Sequence, residues 1–346
     1  MSTAPACLSH GRVTVTPALR AAVDRLDHRS RHQAAYHFGW ITAGGAPTSA
    51  DAGKAVRPAL ALLSAEAVGA PPEVALPGAV AVELVHNFSL VHDDLMDGDE
   101  ERRHRRTVWK LWGPSSAILT GDAMLALAQE VLLDTGLPTA APAARLLART
   151  TRHLIRGQVQ DLAFEQRSHV TVEECVDMAA GKTGALLSAS AAIGALLAGA
   201  PEATVDALAL YGDQVGLAFQ LVDDVLGIWG DPAVTGKPVH SDLRSRKKSL
   251  PVSYALNQDG PLGDELAAWI ATPGEAGGPG ERAEPAEEEL RRVAGLIEDA
   301  GGRDWALAEA ARRLALAEDA LRGVELDAGA REELLALGRF VVDREV

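Results

Sequence analysis

Along most of this chain apolar residues return every three or four positions with polar residues between them, which is the period of amphipathic helices. Leu19, Val23 and Leu26 share one such face, so residues 14–40 read as one or two helices, closed by the turn residues Gly44, Gly45 and Pro47. A helix over 60–68 follows, broken by Pro71 and Pro72. The next, over 77–96, opens on the apolar run Ala79 to Val85. Further helices are expected over 115–132, 140–164, 172–180 and 205–229, and terminal ones over 286–299, 303–321 and 330–341. Few runs alternate Val, Ile and Thr as strands do, and no linker marks a second domain. The expectation is an all-α protein with one domain over 1–346.

Two stretches depart from this pattern. Residues 183–200 are apolar throughout and long enough to cross a bilayer. Their Gly, Ala and Ser content favours a helix packed between neighbours in a soluble core, so no integral membrane segment is expected. From Pro261 the sequence loosens, and residues 271–285 have the composition of a mobile loop.

Charge narrows the function. A net charge of −15 excludes a nucleic-acid binder, which needs a basic face to neutralise phosphates. Any anionic ligand must meet a local basic cluster. Cys7 and Cys175 match neither a disulfide framework nor a metal spacing, so a reducing cytoplasm is expected. No charged-then-apolar leader opens the chain, so no signal peptide is expected.

The helix over 77–96 ends in Asp93, Asp94 and Asp97, whose spacing on a helix crowds like charges together. A hard cation relieves that repulsion, and Mg²⁺ shared with substrate phosphates suits such oxygen ligands. A solvated acidic turn is the bland alternative, and the buried helix behind the motif counts against it. The basic run from Arg102 to Arg106 follows directly, and arginine forks match phosphate geometry. Upstream, Gly53, Lys54 and Arg57 lead into a helix whose first turn can receive an anion. The arrangement recurs: Phe219, Gln220, Asp223 and Asp224 close another apolar helix, trailed by Lys237, Arg244, Arg246, Lys247 and Lys248. Two helices each delivering an aspartate pair, each followed by cations, point to several Mg²⁺ ions and a diphosphate.

These residues resemble the trans (E-type) polyprenyl diphosphate synthases over about Gly53 to Pro251. Gly53, Lys54, Arg57 and Pro58 are similar to the family's isopentenyl diphosphate motif, with Ala52 where a first Gly is usual. Asp93, Asp94 and Asp97 with Arg102 and Arg103 resemble its first aspartate-rich motif. Lys182 and Thr183 resemble its Lys-Thr pair, Gln220, Asp223 and Asp224 its second aspartate-rich motif, and Lys237 and Lys247 its downstream lysines. The resemblance implies a single helical bundle of the isoprenoid synthase type around a deep central cavity, acting as a homodimer. It implies head-to-tail condensation of isopentenyl diphosphate with an allylic diphosphate, using up to three Mg²⁺ ions. Asp93, Asp94, Asp97, Asp223 and Asp224 would hold the metal. Arg102, Lys182, Thr183, Gln220, Lys237 and Lys247 would hold the allylic diphosphate, and Lys54, Arg57, His86 and Arg103 the isopentenyl diphosphate. Asp93, Asp94, Lys182, Asp223 and Lys237 would carry the catalysis, with released diphosphate as the usual proton acceptor.

Several positions depart from the family's pattern. Gly227 stands where a third aspartate of the second motif is common, which leaves the metal there to Asp223, helped by Asp224 and Asp231. His104 and His240 replace usual glycines and Arg106 a usual proline. Phe88, five before Asp93, and Ser89 beside it would floor the cavity, and an aromatic there shortens products in the family. That combination resembles the synthases making geranylgeranyl diphosphate (C20), with farnesyl (C15) and C25 products as alternatives. A class I terpene cyclase would share the aspartates but would not need Lys54 and Arg57. An inactive subunit would be expected to have lost aspartates or arginines, and none is lost.

Overall fold

A computed structural model describes residues 5–48, 53, 55–167, 169–231, 239–271, 276–278, 281–282 and 285–342. Lys54 and Lys237 lie outside the described residues. The architecture is all-α, as the hydrophobic period predicts, with only two short hairpins among the described residues. In chain order the first helices are α1 (Ala6–Val23), α2 (His28–His37), α3 (Val56–Glu66), α4 (Leu76–Met96), α5 (Val108–Trp112), α6 (Pro114–Leu133), α7 (Ala140–Glu165), α8 (Val172–Ala179), α9 (Ala185–Leu197) and α10 (Glu202–Trp229). Helices Ser241–Arg244, Leu250–Leu256, Pro261–Ala271, Glu287–Asp299, Gly302–Ala320 and Ala328–Val342 follow among the described residues.

They gather into two compact units. The first comprises Met1–Thr151, Leu186–Gly212 and Ala320–Leu337; the second comprises Arg152–Ala185, Asp213–Asp319 and Gly338–Val346. In the first, α4 packs along α3 and α6. The small-residue helix α9 lies in its core, where a methyl group on Gly194 would fall on the Ala61 carbonyl oxygen. Of the most apolar window within Val172–Leu197, 72% is buried inside the protein, as a packed core helix requires. Helix α6 is equally apolar, yet only 39% of its window is buried, leaving Ile118 and Leu119 exposed.

In the second unit, Phe164, Val170 and Cys175 pack with Leu217, Leu221 and Val225 of α10 in one core, and Ile228, Leu266, Trp269, Leu290 and Ile297 form another. The loosening expected from Pro261 is corrected here. Pro261 opens a helix that runs to Ala271, and Leu266 and Trp269 bury its apolar face. A proline at the first helical position costs no hydrogen bond, so the sequence signal taken as a break is a helix start. Within the loop read at 271–285, Ala271 ends that helix and residues 276–278 pair antiparallel with 281–282.

Candidate active site

In the first unit, α4 delivers Glu83, His86, Asn87, Phe88, Ser89, Asp93 and Asp94 from one rigid element. Helical rotation separates the aspartates. Asp94 turns inward and is 1% exposed, Asp93 is half-buried, and Asp97 caps the helix in solvent. The two-residue strands β1 (Glu101–Arg102) and β2 (Arg105–Arg106) follow as a hairpin, and Arg102 Nε donates to Asp94 Oδ1 at 2.6 Å. The other carboxylate oxygen, Oδ2, is buried without a hydrogen-bond partner. Burial pushes the Asp94 carboxyl up to about 6, against the pull of Arg102. A buried oxygen short of a partner, with Asp93 beside it, fits a hard divalent cation. Among the described residues no three acidic or imidazole side chains already close around a metal-sized point. Mg²⁺ needs no such cage, because it keeps waters and shares substrate oxygens.

The basic run divides by role. Arg105 stacks over the Tyr36 ring at 4.0 Å and donates to the Ile41 carbonyl at 3.1 Å, while Tyr36 Oη donates to the Arg106 carbonyl at 2.8 Å. Thr107 Oγ1 and Trp109 Nε1 both donate to the Asp99 carbonyl. Arg105 therefore fixes the hairpin, and Arg102 and Arg103 are what it presents. Arg103 and His104, the two turn residues, have φ of 52° and 58°, the primed geometry that favours glycine and asparagine. His104 thus keeps the turn that the usual glycine would make, at a cost of about 1 kcal/mol. His104→Gly is expected to raise the unfolding free energy by up to about that amount, measured by urea denaturation.

Arg103 also reaches Gly53: a Cβ there would lie 2.8 Å from an Arg103 guanidinium nitrogen, and a φ of 87° favours glycine at this position. Arg57, in the first turn of α3, has a buried Nε without a partner. Burial lowers its pKa and the Glu83 carboxylate opposes that shift. Glu83, the one charge in the apolar run of α4, accepts from Asn87 Nδ2 at 2.9 Å. His86 is held neutral far below the usual imidazole range, by burial and then by the Arg57 and Arg103 charges. His37, at the end of α2, is pushed down to about 3 by burial and by Arg102 and Arg103. It lines a small pocket with Asp94, Arg102 and Arg103. Neither Glu83 nor His37 was singled out from sequence. The signal for Glu83 was a lone charge inside an apolar helix; His37 had none.

Phe88 is 4% exposed and packs edge-on to His92, with centroids 5.3 Å apart. His92 fills the notch that Gly121 leaves in α6, its Nε2 3.0 Å from the Ile118 carbonyl. Ser89 is buried and donates to the His86 carbonyl at 2.8 Å.

In the second unit a single π turn, Ala180–Gly184, interrupts the run from α8 into α9. Such turns widen a helix locally and recur at functional sites; here the turn carries Lys182 and Thr183. Lys182 Nζ donates to Asp161 Oδ2 of α7 at 2.6 Å. The two elements approach this closely because Gly157 and Gly181 face each other, with the Gly157 Cα 3.3 Å from where a Gly181 Cβ would be. Asp161 was visible in sequence but had no local partner to mark it. Thr183 Oγ1 donates to Gln220 Oε1 at 2.7 Å, and Gln220 Nε2 donates to Asp224 Oδ1 at 2.8 Å. The Leu250 backbone N–H donates to Asp224 Oδ2 at 2.9 Å. Asp224 is thus buried and held at both oxygens, whereas Asp223 is half-exposed. Burial raises the Asp224 carboxyl to about 6, with Lys247 acting in the opposite sense.

The trailing cations also divide. Arg244 pairs with Glu287 at 2.6 Å, Arg246 stacks over Trp269 at 4.7 Å, and Lys248 donates to the Phe164 carbonyl at 2.9 Å. Lys247 instead lies in the field of several carboxylates. Burial lowers its pKa, and Asp224, Asp242, Asp161 and Asp223 together more than reverse that.

Comparisons with known proteins identify the family. The polyprenyl synthetase family pattern matches residues 40–276. A Mycobacterium tuberculosis protein named (2E,6E)-farnesyl diphosphate synthase is 54% identical over 331 residues, covering 96% of this chain and 90% of its own. A geranylgeranyl diphosphate synthase from the same species is 41% identical over 343 residues, covering 98% and 94%. The crystal structure of a polyprenyl synthetase from Streptomyces coelicolor A3(2) superposes with a TM-score of 0.93 at 56% identity, covering 97% of this chain and 99% of that one. With the aspartate-rich helix ends, the arginine hairpin and the Lys-Thr turn all in place, the chain belongs to the polyprenyl synthetase family and is a prenyltransferase.

Proposed function

We propose that this prenyltransferase is Mg²⁺-dependent and makes farnesyl diphosphate (C15) by adding isopentenyl diphosphate to a shorter allylic diphosphate. The buried, unpartnered Oδ2 of Asp94 carries the metal reading. The C20 expectation gives way to its C15 alternative because the relative bearing the farnesyl name shares more of this sequence than the one bearing the geranylgeranyl name. Phe88, buried on α4, agrees with a short product.

Asp93, Asp94 and Asp97 would hold metal at the first motif, and Asp223 at the second, where Asp224 orients the helix end. When bound, Mg²⁺ neutralises the charge that develops on the leaving diphosphate. Arg102, Lys182, Thr183, Gln220, Lys237 and Lys247 serve the allylic diphosphate. Lys54, Arg57, His86 and Arg103 serve isopentenyl diphosphate, with Glu83 holding Arg57. His86, being neutral, can offer one N–H without adding charge. The allylic cation must be kept from water; the double bond of isopentenyl diphosphate attacks it, and the tertiary cation so formed loses a proton to the released diphosphate. The exposed apolar face of α6 at Ile118 and Leu119 supports a homodimer, and two free, buried cysteines support a reducing cytoplasm.

The reading is tested by incubating the protein with Mg²⁺, isopentenyl diphosphate and dimethylallyl, geranyl or farnesyl diphosphate in turn, then identifying products. Consumption of the first two primers, ending at C15, supports it. An allylic diphosphate cyclised with isopentenyl diphosphate untouched overturns it. Phe88→Ala is expected to shift the main product at least one isoprene unit longer; an unchanged chromatographic profile removes Phe88 from the floor of the cavity.

A further inference from the structure

Where α4 packs on α6, one contact is made by His92, a side chain with no part in the mechanism. The imidazole occupies the space that a side chain at Gly121 would need: a Cβ built there would overlap Nε2 and Cδ2 of His92 and lie 3.1 Å from its Cε1. His92 Nε2 is 3.0 Å from the Ile118 carbonyl, so this nitrogen carries the hydrogen and donates it. Asp122 Oδ1, 3.9 Å away, lies beyond hydrogen-bond reach. The ring is thus fixed against α6. It also touches Phe88, one turn earlier on the same face of α4, and the two rings meet edge-on at 82° with centroids 5.3 Å apart. Phe88 is 4% exposed and its side chain has no polar atom, so packing by its neighbours sets its rotamer.

We propose that His92 and Gly121 are positioning residues for product length: the imidazole seated in the α6 notch holds the Phe88 ring across the path of the growing prenyl chain. This rests on the reading of Phe88 as the floor of the cavity and adds what keeps that floor in place. Without the imidazole, the notch is open to the Phe88 ring, which can turn aside and admit a longer chain. An aromatic at 88 then sets a short product only together with its support.

The test incubates the full chain with Mg²⁺, isopentenyl diphosphate and geranyl diphosphate, and measures by chromatography the ratio of products longer than C15 to C15 itself. His92→Ala is expected to raise that ratio roughly 2- to 10-fold, the range that loss of one edge-on ring pair gives. A slower condensation caused at Asp93, the next residue, would favour early release and shorten the products, so lengthening cannot arise that way. Gly121→Ala, which drives the imidazole from the notch, acts in the same direction. The double variant His92→Ala/Gly121→Val refills the notch from α6 and returns the ratio most of the way to wild type, a rescue that general loosening of the helix pair would not give. Thermal melts identify a variant that fails to fold, and the other two then carry the comparison. A wild-type ratio in either folded single variant, or a double variant with products as long as those of His92→Ala, overturns the inference. An unchanged profile in Phe88→Ala overturns the floor reading itself.

Discussion

Asp94→Asn is expected to lower kcat for condensation by roughly 10³- to 10⁴-fold, equivalent to about 4 to 5.5 kcal/mol of transition-state stabilisation. The substitution keeps the side chain's shape, and its carbonyl oxygen can still accept from Arg102 Nε as Oδ1 does at 2.6 Å. It exchanges the buried, unpartnered Oδ2 for an amide nitrogen, which repels a cation. The fold is expected to survive, and the sign follows from the pKa. Burial raises the Asp94 carboxyl from 3.8 to about 6, so ionising it weakens the fold as pH rises through that window. A neutral Asn removes that cost at neutral pH. The same shift predicts that Mg²⁺ affinity of the wild type falls as pH drops below about 6, where a proton competes for the ligand. Steady-state rates beside circular-dichroism melts check both halves; a folded Asp94→Asn with wild-type turnover sinks the metal assignment.

Gly157→Ala carries the second large effect, far from either acidic motif in sequence. A methyl group at 157 would overlap the Lys182 backbone nitrogen and lie 2.8 Å from its Cα. Backbone cannot rotate away as a side-chain tip can, so α7 and the π turn must separate. Overpacking of this kind costs roughly 1–3 kcal/mol, and more where backbone is struck. Asp161 lies one turn beyond Gly157 on the same face, so the shift also pulls apart its 2.6 Å pair with Lys182. Displacing a positioning group by about an ångström costs on the order of 10²-fold in rate. Both a lower melting temperature and a lower kcat are expected, and an unchanged value of either would show that the glycine contact does not set the position of Lys182.

Much of the site was legible because its chemistry is local. Carboxylates four apart on one helix, or arginines trailing a helix end, need no tertiary information to be seen as a unit. Spacing did not tell Arg102 from Arg105, since one meets Asp94 and the other stacks on Tyr36, more than sixty positions earlier. It also ranked Asp93 and Asp94 alike, although rotation about α4 buries only the second. The helix at Pro261–Ala271 was missed because a proline that starts a helix and one that ends it look the same to a composition reading.

The sequence by itself determined that the protein is helical, that two of its helices end in aspartates followed by cations, and which catalytic family those motifs resemble. Periodicity and capping act over a few residues, so they are written in the chain. Only the tertiary structure decided that Lys182 pairs with Asp161, that Arg103 packs against Gly53 and that His92 fills the notch at Gly121. Those relations depend on how closely two backbones approach, and that is set by glycines, a π turn and left-handed residues whose effects appear only when distant segments pack.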